Sequence, residues 1–150
     1  MGEAQDIQGG VRKLLLYYQS GRVEDILRAT HESVFPVTGG RDGFRRIAKS
    51  TMRATDKLSV DIENMRFESV DRVYRSGSEE VVFMPLSYVI DYGDYRARIK
   101  SYFVALKRES QNEWKFIEGF GFRGKRELIW QLLPELSKSA KIPDISIDYE

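Results

Sequence analysis

The sequence predicts an α+β domain, and three observations predict it. Apolar residues recur at the helical period of about 3.6 through the first third of the chain. From Leu58 the period falls to about 2 and holds for about sixty residues. A final helical stretch then closes the chain before Pro134. Helices gathered first and strands gathered after them do not alternate as a parallel sheet with crossover helices would, so the strands read as an antiparallel meander.

Val11, Leu14, Leu15 and Tyr18 fall at i, i+3, i+4 and i+7 and stop at Ser20-Gly21, which predicts a first amphipathic helix. Val23, Ile26, Leu27 and Thr30 repeat the spacing and predict a second. His31 to Thr38 turns β-branched and aromatic around Pro36, the composition of a short edge strand. Gly39-Gly40 ends it, and Asp42 is placed to cap the third helix through its carboxylate. Phe44, Ile47, Ala48 and Thr51 mark that helix's buried stripe, while Arg41, Arg45, Arg46, Lys49 and Arg53 lie mostly off it.

In the meander, Val60, Ile62 and Met65 to Val73 predict a first long strand bulged near Glu63-Asn64, ended by the turn Ser76-Gly77-Ser78. Val82, Met84, Leu86, Tyr88 and Ile90 alternate along the next, and Tyr92-Gly93-Asp94 makes a hairpin turn into a strand over 95–107. After Ser110-Gln111-Asn112, the residues Trp114, Phe116, Glu118, Phe120 and Phe122 alternate down the last long strand. Arg123 to Leu133 reads as helical, and the end from Pro143 alternates apolar residues, which suits an edge strand or a free tail.

The 150 residues make one domain. Twenty-four basic against 23 acidic residues leave no global field to attract nucleic acid, a membrane or an anionic substrate. Zero cysteines and a single histidine exclude thiol chemistry, thiolate metal sites and multi-histidine metal sites, so neither metal nor cofactor is expected. The start of the chain lacks the layout of a signal peptide, Asp6 spoils a myristoylation signal, and the apolar runs are too short to cross a bilayer. A cytoplasmic protein is the expectation.

The order helix, helix, His31-Glu-Ser-Val-Phe-Pro-Val-Thr-Gly-Gly-Arg-Asp-Gly-Phe44, helix, meander and Trp114-Lys-Phe-Ile-Glu-Gly119 resembles the NTF2-like (SnoaL-like, cystatin-like) superfamily, in particular small bacterial members of unassigned function. The resemblance covers about residues 10 to 136; 1–9 and 137–150 are then tails. It implies an NTF2-like cone: a strongly curved antiparallel sheet wrapped around three N-terminal helices with a C-terminal helix, enclosing a pocket, and with the opposite sheet face used for a homodimer. Enzymatic relatives place a carboxylate and a tyrosine or histidine in that pocket. Burial there raises the carboxyl pKa toward neutrality.

The pocket candidates are therefore the polar residues interleaved with apolar ones: Tyr18, His31, Tyr88, Tyr102 and Glu118, with Phe120 beside them. Glu118 shares strand parity with Trp114, Phe116, Phe120 and Phe122, and a carboxylate on an aromatic face is costly unless paired or neutralised. It is either a general base or ligand anchor, or a half-exposed or dimer-facing residue, or one paired by an arginine such as Arg98. His31 is either an acid or base, or a helix C-terminal histidine bonded to free carbonyls. Each tyrosine either aims its hydroxyl into the cavity or is core with a satisfied hydroxyl.

Gly119-Phe-Gly-Phe-Arg-Gly124 spells G-x-G-x-x-G but lacks the strand–turn–helix context of a dinucleotide site, so its glycines are read as letting a strand curve or another surface approach closely. The basic third helix, without exposed aromatics or net charge, is read as a solvated face rather than a nucleic-acid site. Two functions follow. The first is a non-enzymatic module binding a small apolar ligand or a partner as a dimer, favoured because no complete catalytic constellation can be named. The second is a SnoaL or ketosteroid-isomerase type of enzyme in which Glu118, with His31 or a tyrosine, transfers a proton.

Overall fold

The computed structural model describes residues 3–55, 59–60, 64–70 and 72–150. It is α+β, as the change of period predicts: α1 (Glu3–Gln19), α2 (Val23–Ala29), α3 (Val34–Val37) and α4 (Gly40–Thr55) precede a sheet, and α5 (Ile129–Leu132) follows most of it. The strands are β1 (Ser59–Val60), β2 (Arg66–Phe67), β3 (Val73–Ser76), β4 (Glu79–Asp91), β5 (Arg96–Arg108), β6 (Lys115–Glu118) and β7 (Ser146–Tyr149). Among the described residues they form one open sheet, with β1, β2 and β3 on one side of β4, and β6 and β7 on the far side of β5. Every strand pairing is antiparallel. No described helix is long and apolar enough to cross a membrane.

The hairpin β4–β5 is the frame. Its 13 register pairs run from Glu79↔Arg108 to Asp91↔Arg96, and period-2 alternation sorts its side chains between two cores. Val82, Met84 and Leu86, with Phe103 and Ala105, pack against Ile7, Val11 and Leu14 of α1, Ile26 of α2 and Ala48 of α4. Val81 and Phe83, with Tyr102, Val104 and Leu106, pack against Ile129, Leu133, Leu136, Ala140 and Ile142. Helices cover one sheet face and the C-terminal segment covers part of the other. The expected tail from residue 137 buries Ala140 and Ile142 against the sheet, and of the two readings of its end, edge strand or free tail, the strand holds: β7 pairs with β5. The expected N-terminal tail 1–9 is in its described part the first turns of α1, which bury Ile7 one turn before Val11.

Several local expectations change. His31 to Thr38 is not an edge strand: Val34–Val37 is a short helix, and only Thr30 makes a bridge, to Phe116. Pro36 falls in that helix's first turn, where its missing N–H would have had no partner anyway. Asp42 is not the cap of α4, which starts at Gly40; its carboxylate instead pairs with Arg45 one turn on. Gly39 and Gly40, both at positive φ, turn the chain into that helix.

The first long strand is two. β2 ends at Phe67 opposite Leu86 and β3 begins at Val73 opposite Val82, leaving Pro85 between them. Pro85's carbonyl accepts from the Glu68 N–H at 2.9 Å, so the side of Pro85 that faces β2 and β3 is the side lacking a donor, and the ladder breaks there. The parts of that expectation resting on Leu58, Ile62 and Glu63 lie outside the described residues.

The last strand also stops early. β6 ends at Glu118, and Gly119 to Phe122 turn as a 3₁₀ helix, so Phe120 and Phe122 do not continue the alternation. Arg123 to Leu133 is not one helix: a 3₁₀ turn at Arg126–Leu128 runs into the single turn of α5.

Candidate functional site

Glu118 stands at the end of β6, directly opposite Phe103 of β5. Its parity with Phe116 places it on the helix-covered face, because Phe103 and Phe116 belong to the core beneath α1, α2 and α4. There it lines a cleft of about 240 Å³ with Leu14 and Tyr18 of α1, Val34 and Val37 of α3, Phe44, Ile47 and Thr51 of α4, Phe116 and Ile117 beside it, and Gly121, Phe122 and Leu132. Ile47, expected to be buried, is 48% exposed because it sits at this cleft.

The environment of Glu118 has two sides. Its surface is open to water, yet protein surrounds it closely enough that burial alone pushes its carboxyl above the ordinary value of 4.5. The two descriptions agree for a group on the inner wall of a cleft: solvent reaches it, and low-dielectric protein hems it in. No ion pair or hydrogen bond to Glu118 occurs among the described residues, and Arg98 is turned to Glu150 at 3.9 Å instead. Burial also raises the hydroxyl pKa of Tyr18 and of Tyr88, and the charge of Glu118 adds to both shifts. The sequence candidates Glu118, Tyr18 and Tyr88 are therefore one electrostatic group, assembled from α1, β4 and β6.

The other candidates lie elsewhere. His31 is buried, but its Nε2 lies 3.0 Å from both carboxylate oxygens of Glu79, and its Nδ1 lies 2.8 Å from the Ser33 hydroxyl. The Ser33 backbone N–H also points at Nδ1, at 3.2 Å, and can only donate. Nδ1 is therefore the acceptor and Nε2 carries the hydrogen given to Glu79. The histidine is not bonded to free helix carbonyls. It ties the α2–α3 junction to the start of β4, while its own N–H donates to the Phe116 carbonyl at 2.9 Å. Beside it is a second depression of about 320 Å³, walled by Arg28, Arg41, Arg108, Lys115, Glu32 and Glu113 among others. Those charges largely satisfy one another: Arg108 pairs with Glu32, and Lys115 with Glu113 at 3.3 Å.

Tyr102 faces the opposite core, edge-on to Phe83 with ring centroids 5.8 Å apart, and burial pushes its hydroxyl up to about 12. It does not belong to the cleft. Its ring explains Gly119: a Cβ there would come within 2.5 Å of the ring, so of the two expected roles for these glycines the close approach of another surface holds at this position. Phe120 is half-buried on the 3₁₀ turn, with the Arg123 guanidinium 5.8 Å from its ring centroid. Among the described residues no cluster of His, Asp and Glu is arranged to hold a metal ion.

Two features were not anticipated. The wall supplied by α3 was hidden because that segment read as a strand. Ser101, on the Phe103 face of β5 and outside the cleft lining, is buried with a hydroxyl that has no partner among the described residues. Its signal was available: one small polar residue among the inward positions Ile99, Phe103 and Ala105. Against known proteins, no family model, no curated protein and no solved structure matches the chain.

Proposed function

We propose that this protein holds a small, mainly apolar ligand in the cleft beside Glu118, as an NTF2-like cone of the kind its sequence resembles. The observation that carries the reading is the Glu118 carboxylate on the wall of a mostly apolar cleft, hemmed in by protein on its inner side and without an ion-pair partner among the described residues. Mostly apolar lining with a few polar groups, here a single charged one, is the usual chemistry of small-molecule sites. The homodimer belongs to the same proposal: one sheet face carries the helices, while residues 129–142 cover the other around Val81, Phe83, Tyr102, Val104 and Leu106 and leave Lys100 exposed, so the rest of that face and the strand edges remain for self-association. Cytoplasmic residence rests on the absence of cysteine alone.

Gly121 offers a clean test. It lines the cleft, its φ is ordinary, and a Cβ added there meets nothing within 4 Å. A Gly121→Leu chain should keep its fold and lose binding of small apolar probes, read from amide chemical shifts around Thr38, Gly121 and Leu132. Probes that bind both chains equally, or that never perturb these amides, refute the cleft as the site.

A second reading is proton transfer by Glu118 with Tyr18 or Tyr88 as hydrogen-bond donor, favoured by the raised carboxyl pKa. His31 has no part in it. An activity found for the protein and left intact in Glu118→Gln would end this reading.

A further inference from the structure

Resting on the ligand-binding reading, we propose that the cleft selects an organic cation, a small apolar skeleton carrying one ammonium group that pairs with Glu118. Three features of the wall argue for it. Its fifteen lining residues include one that bears charge, Glu118, and no lysine, arginine or histidine. An anionic ligand would meet only repulsion there. The walls facing Glu118 are aromatic or aliphatic: Tyr18 from α1, Phe44 and Ile47 from α4, Phe116 on its own strand and Phe122 beyond it. Aromatic faces attract a desolvated cation, and do so more strongly away from water.

The third feature is the comparison with the rest of the chain. Carboxylates such as Glu24, Asp25, Glu32, Glu80, Glu109 and Glu113 each have a cationic partner, whereas Glu118, on the wall of a cleft with no other charged lining residue, has none among the described residues. A bound ammonium would complete the pair. The titratable groups that face Glu118 are Tyr18 and Tyr88, both held neutral by burial and by Glu118 itself; α3 and α4 contribute only threonines and apolar residues to the wall. Neutral tyrosine hydroxyls carry no charge and do not compete for the cation.

Recognition of this kind couples to a proton. Free Glu118 holds its proton to higher pH than an ordinary glutamate, and an ammonium ligand must displace that proton, so affinity rises with pH until the carboxyl is ionised. A neutral ligand accepting a hydrogen bond from the protonated acid would show the reverse.

The test uses the intact chain and three probes on one skeleton: cyclohexylmethylamine, cyclohexylmethanol and cyclohexanecarboxylate, titrated by amide chemical shift at a pH above and a pH below the measured midpoint of Glu118. The amine is expected to bind at least about tenfold tighter than the alcohol at the higher pH, to weaken at the lower pH, and to lose its advantage in Glu118→Gln while the alcohol still binds. The carboxylate should not bind. An alcohol that binds as well as the amine overturns the cation inference and leaves the cleft standing. Failure of every probe to perturb the cleft removes both.

Discussion

Tyr18 and Glu118 lie a hundred residues apart in the chain and share one electrostatic field: the carboxylate's charge helps to hold the tyrosine hydroxyl neutral, and both groups line one cleft. The relationship has a thermodynamic consequence. Glu118's folded pKa is raised above 4.5 by burial, so between the unfolded and folded values the native state binds more protons than the unfolded chain. Its contribution to stability is fully present below about 4.5 and is lost as pH rises through the folded value. Urea unfolding across this range should show Glu118→Gln gaining on the parent as pH rises. A constant difference between the two would contradict it.

Adjacent glycines in α1 should respond differently to alanine. A Cβ at Gly9 meets nothing within 4 Å, while one at Gly10 would lie 2.5 Å from the Phe116 ring. Gly9→Ala should stabilise by up to about 1 kcal/mol through helix propensity. Gly10→Ala gains the same propensity but overpacks the core, which costs about 1–3 kcal/mol, so its net effect is neutral to destabilising. Denaturant midpoints measure both, and equal stabilisation would show that the ring gives way freely.

The C-terminal segment is part of the domain. Leu136, Ala140 and Ile142 are buried against the sheet face opposite the helices, and β7 pairs with β5 from Ala97↔Tyr149 to Lys100↔Ser146. Burying a Leu or Ile side chain is worth about 1.5–3 kcal/mol. A chain ending at Glu135 should therefore lose several degrees or more of melting temperature and bind an apolar dye. An unchanged melting curve would mean that this segment adds nothing.

His31 should matter for stability and not for the cleft. Removing it leaves the Glu79 carboxylate and the Ser33 N–H without their partner, a loss of about 1–3 kcal/mol for a buried polar contact. His31→Ala should unfold at lower denaturant while its probe titration in the cleft matches the parent. Lost probe binding with an unchanged fold would return His31 to the site.

The β4–β5 hairpin was legible because two long alternating runs meet at Gly93, whose φ of 95° suits a tight turn. The shared face of Glu118 and Phe116 was legible for the same reason, since their parity holds up to the last residue of β6, but which side of the sheet that face meets was not, because it depends on how the helices pack. What failed depended on contacts distant in sequence. Pro36 reads alike at a strand edge and in a helix's first turn; Pro85 breaks the ladder to a strand the alternation runs straight through. Nothing local to His31 announces Glu79, 48 positions away. Tyr88 and Tyr102 look alike in sequence, and only their opposite parity on paired strands sends one toward Glu118 and the other to the C-terminal core.

The central claim is that Glu118 is a carboxylate on the wall of a mostly apolar cleft, without an ion-pair partner among the described residues. Its most direct test is the titration of the Glu118 side-chain carboxyl carbon by NMR in the intact protein. The account predicts a midpoint clearly above the ordinary 4.5, falling when cyclohexylmethylamine is bound. A midpoint at or below 4.5, unmoved by the amine, would contradict it.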